Sequence, residues 1–598
     1  MGQGGIGQEQ CQGNPQAAPA HRLGSPERLE LIALPLGVLT VIDRAWWHGF
    51  GWLGQAKFIL RGLLWPARLG SAWCALDVRL AVALKPSVRL ERLNLSLRPL
   101  PMPALPFTAT RLAQTLLGLG FVLHSVMGGM HGLSVDEAHY LLYALRPALS
   151  YFDHPPLVGW VQWPLVALDA PVVVLRLVPG LVWLASGWLV YQLACDLCGS
   201  SGPTGSPPEA QAGLAAVLVF VLTPMFNLLG IALVPDSLLV LLSLALLRQT
   251  LRLMRQQAGH RPQDWLLLGL LLGLAGLAKY TAILAALAVA ACLLLRHGLQ
   301  LLRQPWLWAA VLTALAVVAP VFVWNAQHQW LSFDYQLRHG AGAHWQVRNL
   351  LIFSLLQALA YGPLMLWAWQ GWRLVAAPAA RLSALFFVLP FGVLAYLSGG
   401  GSGLPHWTAP AWAALAPLAG IGLARAYALG RRRWMAAAAG FQGLTLALLL
   451  AAMLTGLLPW SSHKTPLGAA DNPFADLHGW ELAGERARQL ARQEGLASVA
   501  VQHWTLGSRL GWYARPLPVQ VLDQRTDQFD LWAQPLAPGA STLLLDWSLM
   551  PFAAPLGPKG FEDCQLLDTL EPQRLGRATA TFRFYACHHW QGAAGARP

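Results

Sequence analysis

The chain has 598 residues, 55% of them hydrophobic and 12% charged, and a net charge of +13 at neutral pH. Soluble domains carry about 25% charged residues, and here the apolar residues fall in long blocks rather than periodic stripes. Disorder, collagen and coiled coil are excluded, which leaves a polytopic α-helical membrane protein. The basic excess reads as arginines kept in cytoplasmic loops. No module of interleaved aromatic and basic residues occurs, so nucleic acid is excluded as a partner.

Residues 1–30 are polar and rich in Gly, Pro and Gln, and apolar fragments up to about 105 are broken by Arg, Lys and Pro. Leu31–Ile42 is too short to cross a bilayer, and no charged-apolar-small signal pattern precedes it. The expectation for 1–105 is a poorly ordered or atypical extension, or a start upstream of the natural one. A spanning helix needs about 20 apolar residues. About 11 candidates follow, near 112–130, 172–194, 212–230, 231–247, 265–278, 281–295, 306–324, 349–369, 382–398, 408–428 and 434–458. The shorter stretch 157–168 reads as a segment lying on the membrane surface or re-entering it.

If the first span runs outward, the inward loops hold Arg248, Arg252, Arg255, Arg261, Arg296, Arg303, Arg373, Arg381, Arg425 and Arg431–Arg433. The outward loops then hold Asp136, Glu137, Asp153, Asp236 and Asp334. This is the bias of the positive-inside rule. From about 459 the pattern changes to a helical stretch, Trp480–Gln493, and strand-like runs Ala497–Trp504, Pro518–Asp523, Ser541–Trp547 and Ala580–His588. Residues 459–598 therefore read as a small extracytoplasmic α+β domain, behind a transmembrane module over 106–458. Cys564 and Cys587 lie in it, and both a bridge and two buried thiols fit. The Cys195-x-x-Cys198 pair has no second pair at zinc spacing and reads as incidental.

Three outward segments concentrate ionisable groups: Ser134-Val-Asp-Glu-Ala-His-Tyr140 with Tyr151-Phe-Asp-His-Pro-Pro156, then Val234-Pro-Asp236, then Ala278-Lys-Tyr280. Charges at membrane depth are costly and mark functional candidates. Lys279 also reads as a lysine snorkelling to the headgroups. Asp236 also reads as a helix N-cap before Ser237.

The ordered series DEAHY, YFDHPPLVGW, LVPDSLLVL, GLAKYTA, PVFVWNAQHQWLSFDYQL and LPHWTAP resembles the GT-C membrane glycosyltransferases. More narrowly it resembles the bacterial branch related to dolichyl-phosphate-mannose-protein mannosyltransferases and to the lipid A aminoarabinose transferase. The resemblance covers roughly 109–480 and extends into the tail through DLHGW (Asp476–Trp480) and DQRTDQFDLW (Asp523–Trp532). It implies transfer of a sugar from a polyprenyl-phosphate carrier to a glycan, lipid (lipid A included) or protein acceptor, on the periplasmic side of a bacterial inner membrane. It also implies catalytic roles for Asp136, with Glu137 beside it, and for Asp236. Tyr140 and Tyr151 match aromatic positions flanking the donor cavity, Asp153 and His154 an acidic–basic pair, and Lys279 a lysine after the fifth span. His139 departs from the family, whose members usually have an aromatic there.

The chemistry asks for the same groups. Glycosyl transfer from a phosphate carrier passes an oxocarbenium-like state while negative charge grows on the leaving phosphate. A carboxylate near the nucleophile and cations near the phosphate are needed. Asp136 and Asp236 supply the first, and Lys279, His154, Arg338 and His339 the second. Asp153, His154 and Asp236 are also candidate ligands for a divalent cation, although they lack compact metal spacing. His406 and Trp407, after the glycine-rich run Gly399–Gly403, read as a donor or acceptor contact or as an interfacial loop anchor. The 28 tryptophans are read first as span-end anchors. A transporter or flippase of lipid-linked sugars is the alternative reading, but no internal duplication is evident.

Overall fold

A computed structural model describes residues 108–199, 208–255, 261–341, 344–401, 403–456 and 474–592, the side chains of 339–341 excepted. The extension 1–105, the boundary near 459 and the His339 side chain lie outside the described residues. Among those described, eight helices are long and apolar enough to cross a membrane. Two further pairs reach that length only jointly: Glu209–Leu222 with Pro224–Ile231, bent by 71°, and Val347–Tyr361 with Leu364–Trp372, bent by 80°. They bring the number up to 10, and Pro262–Ala278, at 17 residues, is shorter than the rest. The expectation of about 11 spans counted these two bent pairs and the 17-residue helix as crossings.

Each break has a local cause. Thr223 is extended, with ψ 116°, because it precedes Pro224. At the other break Gly362 takes φ +55°, a conformation suited to glycine, and Pro363 follows. The stretch 157–168 forms two short helices, Leu157–Trp160 and Trp163–Ala167, with Trp163 and Leu168 exposed.

Two spans are mostly buried within the protein, Pro235–Arg255 and Pro405–Ala428, while the others turn apolar faces outward. Small residues let the backbones meet. A methyl group added at Gly371 would overlap the Leu418 carbonyl, and one at Gly422 would overlap that of Trp367. The N-terminal ends of both central spans meet at one end of the bundle, bringing Asp236 and His406 together. At the opposite end Arg248 pairs with Asp196 at 2.8 Å, and Arg296 donates to the Met254 carbonyl at 3.0 Å.

The C-terminal residues build helix Trp480–Gln493, as expected, and seven strands. These are β1 (Val499–Val501), β2 (Val519–Val521), β3 (Thr542–Trp547), β4 (Phe561–Leu570), β5 (Gln573–Arg574), β6 (Arg577–Ala578) and β7 (Phe582–Trp590). Five form one sheet in the order β2-β1-β3-β7-β4, parallel within β2-β1-β3 and antiparallel beyond, and β5 with β6 makes a separate ribbon. The first strand stops at Val501 rather than at Trp504 because His503 caps the helix Trp504–Tyr513, its ring accepting from the Thr505 amide. β4 carries no alternating strand signal in the sequence because it is a largely exposed edge strand of mixed polar residues. Cys564 and Cys587 face each other across β4 and β7 and are joined by a disulfide.

Replacing Gly422 by Val should therefore cost more than about 3 kcal/mol, since backbone rather than a yielding side chain meets the new methyls. Melting in detergent should detect it as a fall of many degrees, and Gly440→Ala, which meets nothing nearby, should leave the melting point alone.

Candidate active site

Ser134 opens the helix Val135–Leu145 through a capping box: its Oγ accepts from the Glu137 amide at 3.3 Å, and Glu137 Oε2 accepts from the Ser134 amide at 3.0 Å. Arg176 then takes both Glu137 oxygens, at 2.8 and 2.9 Å. The same guanidinium donates to the carbonyls of Gly128, His131 and Gly132. Burial alone would raise the Glu137 pKa, but Arg176 more than offsets it and holds the group below its usual range. Glu137 is thus committed to the loop itself.

Asp136, the next residue back, differs. It is half-buried, and its carboxylate has no hydrogen bond or ion pair among the described residues. Burial, and then the charge of Asp153, push its pKa up to about 6 against the pull of His139, Arg509 and Lys279. One turn further, Tyr140 is buried, with its ring 5.6 Å from that of His154. Burial and the charges of Asp136, Asp153 and Asp236 hold its phenol protonated.

Asp153 accepts from the Tyr143 hydroxyl and lies 3.5 Å from His139 Nε2. Burial opposes its ionisation, but His139, His154 and Tyr143 outweigh that and place it below the ordinary carboxylate range. His154 is brought down to about 4, chiefly by burial, and its Nδ1 is buried without a partner among the described residues. It therefore stands neutral.

Asp236, 1% exposed, occupies the first turn of its helix and accepts two hydrogen bonds from Lys279 Nζ, at 2.8 and 2.7 Å. His406 Nε2 is 3.8 Å from the same carboxylate, and the Trp407 ring centroid lies 5.4 Å from Nζ. Lys279 can sit there because the chain is extended between Pro262–Ala278 and Ala282–His297, which lets the ammonium turn inward. It does not snorkel outward.

The structure thus gathers Asp136, Tyr140, Asp153, His154, Asp236, Lys279 and His406. It does not gather the others. Arg338 is exposed and pairs with Asp334 on its own helix at 2.9 Å. Tyr151 stacks on Tyr143 at 3.6 Å, and its hydroxyl serves the backbone of Tyr143, Arg146 and Ala148. As for a cation, Asp236 is occupied by Lys279 and Asp153 by Tyr143 and His139. Among the described residues no three His, Cys, Asp or Glu side chains converge to hold one. The residues do not fit a metal, and no chemistry is routed through one.

Sequence reasoning missed Arg176 and the groups from the C-terminal unit. Ser508 meets His139 Nδ1 at 2.9 Å, and Arg509 pairs with Asp476. The capping box Ser134-x-x-Glu137 and the motif DLHGW, which contains Asp476, were readable, but neither points to Arg176, Ser508 or Arg509. The other tail motif matters too, since Gln528 Oε1 accepts from the Phe152 amide at 2.7 Å.

A dolichyl-phosphate-mannose-protein mannosyltransferase family matches residues 153–324. The lipid A galacturonosyltransferase RgtD of Rhizobium johnstonii is 28% identical over 275 residues, 44% of this chain and 54% of its own. The chain thus spans about half the length of that curated relative. Among solved structures, ArnT from Cupriavidus metallidurans in the apo state superposes with a TM-score of 0.54 at 16% identity, covering 80% of this chain and 98% of that one. The same enzyme bound to undecaprenyl phosphate gives 0.52 at 17% identity, with the same coverage.

The two neighbouring carboxylates should separate cleanly on mutation. Glu137→Gln leaves Arg176 buried beside a neutral partner and should cost about 3–5 kcal/mol in detergent melts. Asp136→Asn removes an unpaired charge and should leave the melting temperature unchanged or higher.

Proposed function

From its kinship with the GT-C membrane glycosyltransferases of the mannosyltransferase and aminoarabinose transferase group, we propose that this chain transfers a glycosyl group from a polyprenyl-phosphate carrier. One observation carries the reading. The Lys279–Asp236 pair lies by Trp407, whose ring centroid is 5.4 Å from Nζ, and Trp407 with Leu239, Leu284, Phe386 and Leu394 lines a mostly apolar crevice that also bears Ser243 and Thr281. A cation near an apolar slot suits a phosphate on an isoprenoid tail, and the Asp136 carboxylate, unpaired among the described residues, suits an acceptor's proton. The acceptor is a glycan, lipid or protein of the cell envelope, with lipid A the first to test because it appears in the name of the galacturonosyltransferase relative.

In this reading the reaction is a single inverting displacement. The acceptor oxygen attacks the anomeric carbon as the bond from that carbon to the phosphate oxygen breaks, and the carrier phosphate departs. Asp136 takes the acceptor proton or orients an acceptor already ionised. Lys279 neutralises the departing phosphate, with His154 and His406 as further donors. Asp236 holds Lys279 in place between turnovers, and Tyr140 and Asp153 stand around Asp136.

The arginines opposite the site support an orientation with that end in the cytoplasm. The site and the C-terminal unit then face the periplasm of a bacterial inner membrane. Clustering of the ionisable groups at one end of the bundle, instead of at mid-span, favours an enzyme over a transporter.

Mass spectrometry of envelope glycolipids from cells lacking the gene tests the proposal. A hexose, pentose or uronic acid should be missing and return with wild type but not with Asp136→Asn. Full restoration by Asp136→Asn would overturn the assignment. In purified protein Asp136→Asn should lower turnover about 10²–10⁴-fold, and Lys279→Met about 10²-fold. The base works ionised, so kcat/KM should rise with pH through about 6 and level off above it. A chelator should leave turnover intact.

A further inference from the structure

The helix Trp504–Tyr513 belongs to the C-terminal unit, yet it packs along the helix that carries Asp136, and His139 sits in the contact between them. The His139 ring is 3% exposed. Its Nδ1 meets Ser508 Oγ at 2.9 Å, and its Nε2 lies 3.5 Å from Asp153 Oδ1. The Ser508 hydroxyl is buried and also stands 2.8 Å from the Trp504 carbonyl, while Tyr143 donates to the same Asp153 oxygen. Aromatic rings surround His139. Centroid to centroid, Tyr143 is at 5.0 Å and Tyr140 at 5.9 Å, and from the C-terminal unit Trp504 is at 5.3 Å and Trp532 at 6.0 Å.

The protons of these contacts can be counted. A serine hydroxyl has one proton to give. Spent on the Trp504 carbonyl, it leaves a lone pair toward the ring, so Nδ1 must carry a proton. Were the hydroxyl turned to the ring instead, two oxygens would face each other at 2.8 Å with no proton between them. Nε2 faces the ionised Asp153, and only a second ring proton makes that contact attractive. Aromatic faces within about 6 Å accommodate a cation, and Asp153 pairs with it. A position that needed only filling would hold a phenylalanine, without the cost of burying a charge.

We infer that His139 is a positioning residue of the active site: as a doubly protonated ring it reaches from Ser508 of the C-terminal unit to Asp153 Oδ1, and so holds the other carboxylate oxygen ready to accept from a substrate hydroxyl. This rests on the glycosyl-transfer reading of the site. Asp153 Oδ1 is taken by Tyr143 and the ring, whereas Oδ2 has no bond among the described residues and the side chain is 21% exposed. Besides Asp153, the ionisable groups around the ring are Asp136 on its own helix, His154 on the following loop and Asp527 from the C-terminal unit.

The test reads the ring itself, by nitrogen-15 solid-state NMR of the histidine-labelled full chain in lipid bilayers at neutral pH. Its signals are those absent from His139→Phe. Both nitrogens should be protonated in wild type. In Asp153→Asn one of the two protons should be lost, which identifies the ring a second way if His139→Phe does not fold. A wild-type ring with one bare nitrogen overturns the inference, and so does a ring that keeps both protons in Asp153→Asn. In turnover, Ser508→Ala should lower kcat/KM about 10-fold, and Ser508→Thr, which keeps the hydroxyl, should restore it. An unchanged kcat/KM in Ser508→Ala would leave the ring a packing role and remove the positioning one. Envelope glycolipids restored by Asp136→Asn would remove the catalytic reading instead, while the ring spectrum, which needs no turnover, still reports on His139.

Discussion

A lysine and an aspartate buried together fix the geometry around which the other parts arrange themselves. Lys279 and Asp236 are almost wholly withdrawn from water, and either one alone would carry a large desolvation penalty. Their contact at 2.7 Å forces the start of the helix Pro235–Arg255 against the extended break between Pro262–Ala278 and Ala282–His297. His406, at the head of the other buried span, is drawn to the same carboxylate. Three chain segments far apart in sequence are thereby held at one end of the bundle. Apolar packing explains the rest of the spans, but it is indifferent to which end meets which.

The loop beneath the C-terminal unit obeys the same accounting with a different partner. Arg176 converts a run of carbonyls and Glu137 into a rigid turn, so the capping box begins the helix at a fixed angle. Adjacent positions on a helix point about 100° apart. With Glu137 directed to Arg176, Asp136 is directed away from it and has no bonded partner among the described residues. Burial, and then the charge of Asp153, raise its pKa. The C-terminal unit covers that side through Leu477, Ser508, Tyr513 and Gln528, each bonded to a residue between Gly132 and Phe152.

Much of this was legible from residues alone. Blocks of apolar sequence placed the spans, and charges at membrane depth singled out Asp136, Asp153, Asp236 and Lys279, because nothing else repays their cost there. The helix Trp480–Gln493 was legible from its period. The broken spans carried their own signals, Thr223-Pro224 and Gly362-Pro363, which hydropathy alone averages away. Arg338 misled because charge in an outward loop says nothing of direction, and its helix turns it to solvent. Arg509 was invisible for the converse reason: an arginine in a soluble-looking tail gives no hint that a helix will carry it inward. Residue type alone does not divide the roles of Glu137 and Asp136, although the resemblance matched Asp136 to the catalytic position; Arg176, 39 residues away, binds Glu137.

In the proposed reading these electrostatics also bear on how an anionic donor is received. Lys279 and Asp236 cancel each other, so the cation is present without leaving an uncompensated buried charge. A phosphate approaching along the apolar crevice competes with Asp236 for Lys279, and the two anions cannot both be satisfied by one ammonium. His154 feels both charges and stands neutral, its Nδ1 unpartnered among the described residues. Negative charge nearby raises the proton affinity of an imidazole. Entry of the phosphate would therefore favour proton uptake at His154, supplying the second cation that the lysine alone cannot provide. Such a site acquires its second positive charge only when there is an anion to receive it.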